Sequence, residues 1–148
     1  MYRFQNGKLQ VLLAHPGGPF YKNKDNGFWT IPKGEIAADE VALDAAIREF
    51  TEETGITPRG EFFPLGSVKQ KSGKTVQAWA FAGDWDETEP VKSNTFELEW
   101  PPRSGNKQTF PEIDQILFFP VPEALKKINE AQREFIIRLE KLMKENSK

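Results

Sequence analysis

The sequence predicts an α/β (α+β) protein in which helices pack on both sides of a mixed β-sheet, and three observations predict it. Strand-like runs alternate with runs of helical period, some strands are joined by hairpin-length links and others by a helix crossover, and one helix carries an apolar stripe wide enough to lie on a sheet.

The elements follow in chain order. Lys8 to Ala14 alternates and then runs apolar through Leu9, Val11, Leu12 and Leu13, as a partly buried strand does, and His15-Pro16-Gly17-Gly18-Pro19 is expected to break it. The polar, lysine-rich stretch Tyr21 to Gly27 reads as a surface loop before a short extended piece, Phe28 to Ile31. Pro32-Lys33-Gly34 then turns the chain into an acidic helix. Asp39 is its expected N-cap, Glu40 in the first turn suits the helix dipole, and Gly55 suits a left-handed stop after Thr54. Leu43, Ile47 and Phe50 form the stripe that packs it on the sheet.

Two strand-like runs come next, Phe62 to Gln70 and Lys74 to Asp84, with Lys71-Ser72-Gly73 as a hairpin link. Thr95 to Trp100 alternates Phe96, Leu98 and Trp100 against Glu97 and Glu99, so it reads as a further strand. Pro101 to Gly105 is a loop, and Ile113 to Phe119 is a more buried strand. Two helices finish the chain, one from about Pro122 to Asn129 and one from about Ala131 to Glu145, the latter with Phe135, Ile136, Leu139 and Leu142 as its apolar positions. The last residues, Lys144 to Lys148, are expected to fray.

No repeat or interdomain linker divides the 148 residues, so residues 1–148 read as one domain, large enough to bury a core. Cysteine is absent, which excludes a disulfide framework and thiolate metal sites. A net charge of −2 and a pI near 5.6 argue against a nucleic-acid partner. No basic-apolar leader and no membrane-length apolar run is seen, so cytoplasmic residence without membrane contact is the expectation. Monomer and homodimer both stay open.

The chemistry concentrates in the acidic helix. Glu49, Glu52 and Glu53 fall at spacings of three and four, which puts them on one helix edge beside Ala42, Ala45 and Ala46. Crowded like charges cost a few tenths of a kcal/mol per pair, roughly, so a counter-charge is expected there. Carboxylate oxygens suit hard divalent cations, and Mg²⁺ binds through a few carboxylates plus water and substrate phosphate. A solvated acidic face is the plainer explanation of such a cluster.

The surrounding pattern decides against that explanation. Gly34, Glu40, Arg48-Glu49, the apolar Phe50, Glu52-Glu53, Gly55 and the apolar Ile56 stand at the spacings of the Nudix box, which residues 34–56 fill without a gap, and the chain thereby resembles the Nudix hydrolases. That resemblance implies an α/β/α sandwich with a mixed sheet. It departs at the start, where the family opens with a full strand and only Met1 to Phe4 could supply one.

The resemblance further implies a hydrolase that cuts a phosphoanhydride in a nucleoside diphosphate linked to another group, using Mg²⁺ (or Mn²⁺). Position by position it makes Glu49, Glu53 and Glu52 the metal ligands, gives the carbonyl of Lys33 beside Gly34 a binding role, and has Arg48 orient a carboxylate. Glu40 fills a box position that a helix-start charge explains almost as well. The general base stays open between Glu52 or Glu53 on the helix and Glu112, just ahead of the last strand. Phe28 and Tyr21, with Phe20, are candidates to clamp a base, and Lys22, Lys24, Lys69, Lys71 and Lys74 could attract a polyphosphate. His15, the single histidine, reads as an exposed turn residue.

For the substrate, Pro32-Lys33-Gly34-Glu35 resembles the entry of dinucleoside-polyphosphate and diphosphoinositol hydrolases. Trp100 to Gly105 and Phe110 to Asp114 resemble a bacterial group of predicted NTP pyrophosphohydrolases. A dinucleoside polyphosphate or an NTP therefore ranks ahead of a nucleotide sugar. A Nudix-fold sensor without turnover is the alternative from another class, and such modules typically lose box carboxylates that this chain keeps.

Overall fold

The computed structural model describes residues 1–32 and 40–146. Seven strands and three helices lie in them: β1 (Tyr2–Gln5), β2 (Lys8–Pro16), α1 (Ala42–Thr54), β3 (Phe63–Lys69), β4 (Thr75–Ala80), β5 (Thr95–Glu99), β6 (Lys107–Pro111), β7 (Ile113–Pro120), α2 (Val121–Lys127) and α3 (Arg133–Asn146), the last entered through a 3₁₀ turn at Glu130–Gln132.

β2 is the middle strand of an antiparallel sheet ordered β1-β2-β7. Its continuous apolar run marks a strand covered on both faces. Val11 and Leu13 face one core with Trp29, Phe119, Ile128 and α3's Ile136 and Leu139. Leu12 and Ala14 face the other, with Phe50 of α1, Phe81, Ile116 and Phe118. One helical layer thus covers each face, which is the expected sandwich. The sheet is mixed, because Tyr2 pairs in parallel with Ala82 beyond β4, its N–H donating to Phe81 and its carbonyl accepting from Gly83. The four residues of β1 therefore do serve as a short first strand.

α1 stops where expected: Gly55 is left-handed (φ 78°) and its N–H returns to the Thr51 carbonyl. Its start is different. The helix runs from Ala42 with Val41 in the N-cap position and no side-chain cap there, and the expected cap, Asp39, lies outside the described residues, as do Lys33 and Gly34. Phe50 and Ala45 are buried, while Leu43 and Ile47 are half-buried.

Two further expectations are corrected. β2 does not break at His15 but continues to Pro16, because β7 goes on pairing with it as far as Ile113, past a bulge at His15/Pro16. The β3–β4 hairpin is shorter at its outer ends than the apolar pattern suggests. A strand not expected from the sequence follows the Pro101–Gly105 loop: Lys107–Pro111 form β6, paired antiparallel with β5 from Thr95↔Pro111 to Glu99↔Lys107. Among the described residues no helix is long and apolar enough to cross a membrane.

Candidate active site

Arg48 organises the acidic edge of α1. Its Nε and Nη2 donate to the two oxygens of Glu40 at 2.8 and 2.9 Å, a bidentate pair, and Nη1 donates to Glu49 Oε1 at 2.8 Å and Glu52 Oε2 at 3.1 Å. The spacing explains this: Glu52 lies one turn beyond Arg48, and Glu40 sits just before the helix where an extended arginine reaches back. The Glu40 bond, followed by those to Glu49, holds the guanidinium proton more tightly than usual. Three carboxylates around one cation still leave the cluster negative.

Burial grades across the edge. Glu52 is the most open at 38% of its side-chain surface and Glu49 keeps 16%, whereas Glu53 is buried at 9%. The three glutamates thus differ in exposure, with Glu52 and Glu49 partly open and Glu53 buried. Among the described residues no three acidic or histidine side chains stand as a preformed metal cage. The donor set itself is all carboxylate, the chemistry Mg²⁺ and Mn²⁺ prefer, and Glu49 and Glu52 each have a second oxygen beyond the one given to Arg48. The residues fit a hard divalent ion.

A backbone relay ties Glu112 to this helix. The Asn94 N–H donates to the Glu52 carbonyl (3.0 Å), the Glu112 N–H to the Asn94 carbonyl (2.8 Å), and the Gly17 N–H to the Glu112 carbonyl (2.8 Å). Ser93 Oγ also accepts from the Ile113 N–H at 3.0 Å. Glu112 is exposed and lies between the end of β2 and the last turn of α1. Sequence spacing could not show this, because Asn94 is an unremarkable residue between two strands.

The aromatic candidates stand elsewhere. Tyr21 and Phe28 are partly exposed, their rings 6.3 Å apart, with Lys24 Nζ 5.7 Å from the Phe28 centroid. Phe28 borders a cleft of about 710 Å³ with Gln70, Lys71, Lys126, Asn129 and Arg133, on the α2 side of the molecule.

His15 is a correction. It is 6% exposed, not an exposed turn residue: Nδ1 lies 2.7 Å from Asp114 Oδ1, Nε2 donates to the Lys24 carbonyl at 2.6 Å, and Trp29 packs edge-on at 5.1 Å. The ring pins the 20–28 loop to β7. The available signal was the pair Gly17-Gly18, since adjacent glycines mark a close approach of another segment. A Cβ at Gly17 would run into the Pro111 carbonyl, and one at Gly18 would meet the Phe96 ring at 2.8 Å.

The model of the NUDIX domain matches residues 1–139. Over 52 residues the chain is 46% identical to the mRNA-decapping protein g5R of African swine fever virus (isolate Warthog/Namibia/Wart80/1980), a match that takes in 35% of this chain but only 20% of the viral protein. Its fold is similar to a C. elegans Ap4A hydrolase in a binary complex (TM-score 0.61, 21% identity, 96% of this chain and 92% of that one). It is also similar to the NUDIX domain of Shewanella oneidensis NrtR complexed with ADP ribose (TM-score 0.63, 16% identity, 96% and 82%) and to a MutT protein from Methanosarcina mazei Go1 (TM-score 0.54, 21% identity, 99% and 93%).

Proposed function

Since the chain belongs to the Nudix family, we propose that it is a metal-dependent pyrophosphohydrolase that cleaves a phosphoanhydride in a dinucleoside polyphosphate or an NTP. The observation that carries this reading is the carboxylate edge of α1, where Arg48 holds Glu49 and Glu52 and the buried Glu53 follows them on the same helix.

Glu49, Glu53 and Glu52 would hold Mg²⁺ or Mn²⁺, and the Lys33 carbonyl beside Gly34 is proposed as a further contact at the entry to the helix. When bound, the metal neutralises charge on the phosphoryl group and lowers the pKa of a coordinated water. Arg48 acts on the carboxylates and not on phosphate: its bidentate grip on Glu40 fixes the guanidinium, and its third nitrogen then fixes one oxygen each of Glu49 and Glu52. Glu53 or Glu52 on the helix, and Glu112 in the later loop, are the candidates to take the water's proton. Glu53 is shielded on the helix, and Glu112 is held beside the last turn of α1 by the Asn94 relay. Tyr21 and Phe28 offer rings for a base.

The test is a panel of dinucleoside polyphosphates, NTPs and ADP-ribose with Mg²⁺, products resolved and water incorporation located with ¹⁸O. Wild type is expected to cut one anhydride of a polyphosphate in a Mg²⁺-dependent way, and Glu53→Gln to lose about 10²–10⁴ of the turnover. Wild type and variant equally inert, with a nucleotide still bound, would leave a binding module without turnover. ADP-ribose as the preferred substrate would move the protein to the nucleotide-sugar class.

A further inference from the structure

The β5–β6 hairpin is the element that the carboxylate chemistry leaves unexplained. Both of its roots are fastened beside α1: Asn94, just before β5, donates to the Glu52 carbonyl, and Glu112, just after β6, donates to Asn94. Its flank is docked on the segment after β2 so closely that Gly17 and Gly18 have no room for a side chain against Pro111 and Phe96. Phe96 and Phe110 pair across the two strands at 6.0 Å. The turn is braced as well, by the Glu99 carboxylate accepting from the Gly105 N–H at 3.2 Å and by Gln108 Nε2 donating to the Trp100 carbonyl at 2.9 Å. A hairpin fixed at root, flank and tip is a rigid arm.

At its far end the arm presents Trp100, half-buried, with Phe20 set edge-on to it at 5.3 Å. Phe20 keeps 59% of its surface exposed, so its ring is open to a ligand beside Trp100. The two rings stand roughly perpendicular (78°), so a planar ligand can stack on the face of one and abut the other. Arg103 and Lys107 lie in and beside the turn, so cationic residues accompany the rings. From Thr95 to Trp100 the strand advances about 17 Å. The rings thus stand at the end of the arm opposite its roots beside α1, not at the carboxylates themselves.

We propose that Phe20 and Trp100 form a second nucleoside site, which takes the distal base of a dinucleoside polyphosphate whose bridge lies at the α1 carboxylates. This rests on the pyrophosphohydrolase reading above and deepens it, because a ligand with a base at only one end cannot occupy both the box and the tip of the arm with bases.

The test is equilibrium binding to the protein with its carboxylates intact, in Mg²⁺, with three probes whose bridging oxygens are replaced by methylene so that turnover does not interfere: a dinucleoside tetraphosphate, the matching nucleoside triphosphate and tripolyphosphate. Phe20→Ala, at an exposed position, and Trp100→Ala are each expected to weaken the dinucleotide by roughly 5- to 150-fold, while the affinities for triphosphate and tripolyphosphate stay unchanged. Equal loss for all three probes, or no loss for the dinucleotide, overturns the second site. If the unmodified dinucleotide is hydrolysed equally well by wild type, Phe20→Ala and Trp100→Ala, the second site falls and the hydrolase reading stands; if none of the probes binds at all, both fall.

Discussion

Two polar clusters in this molecule use the same ingredients to opposite ends. Around Arg48, one cation meets Glu40, Glu49 and Glu52 at a surface where its own side chain is 36% exposed. Around His15, one ring meets Asp114 and the Lys24 carbonyl in a site where it is 6% exposed. The first cluster draws on one helix and its approach, so its members can change partners without moving the backbone. The second joins residues 9 and 99 positions apart and closes a loop onto a strand. Exposure, more than charge, separates a cluster suited to receiving a ligand from one suited to holding a fold.

Arg48→Ala tests the first half of that contrast and carries the largest effect expected from either cluster. With the guanidinium gone, Glu49 and Glu52 lose their orientation, and removal of such a supporting contact typically costs about 10–100-fold in metal affinity or activity. A Mg²⁺ titration of the initial rate should shift to higher concentrations while the melting temperature changes little. A large drop in melting temperature instead would mean that the cluster is structural. His15→Phe tests the second half. It keeps the ring volume but strands the Lys24 carbonyl and Asp114, for an expected loss of about 2 kcal/mol in urea unfolding. Activity per folded molecule should be preserved.

The smallest effect concerns Asp25 at the rim of the second cluster. The bond from Lys127, then the one from the Trp29 indole, hold its carboxyl below the usual aspartate range. A depressed value in the fold means stabilisation that is present above the ordinary aspartate pKa and lost as pH falls through the lower one. Asp25→Asn should therefore flatten the stability profile below about pH 4. At 59% exposure solvent screens the pair, so the change stays under about 1 kcal/mol.

How much of this was legible in the sequence follows the range of the interactions. Gly55 ends α1 and Phe50 buries as the 3.6-residue period dictates, because those are contacts within a few residues of the pattern that signals them. The bonds of Arg48 to Glu49 and Glu52 were expected too, but from the Nudix resemblance and not from the residues alone. The burial of Glu53 was not, since a charged residue beside the apolar stripe carries no local signal of how deeply its neighbours cover it. β6 escaped because Lys107-Gln108-Thr109 is polar and exposed, with no buried face to impose alternation. His15 escaped because its partner Asp114 is supplied by the bulged β2–β7 ladder, which no local pattern announces.

The central strand β2 has a consequence for how the protein fails. Its odd and even side chains are shared out between the α3 layer and the α1 layer, so neither hydrophobic half owns a complete wall. Heat or denaturant cannot peel one half away and leave the other standing; melting should be a single cooperative event. A methyl group trimmed from Leu13, on the α3 side, would thus lower the survival of the carboxylate helix on the opposite face.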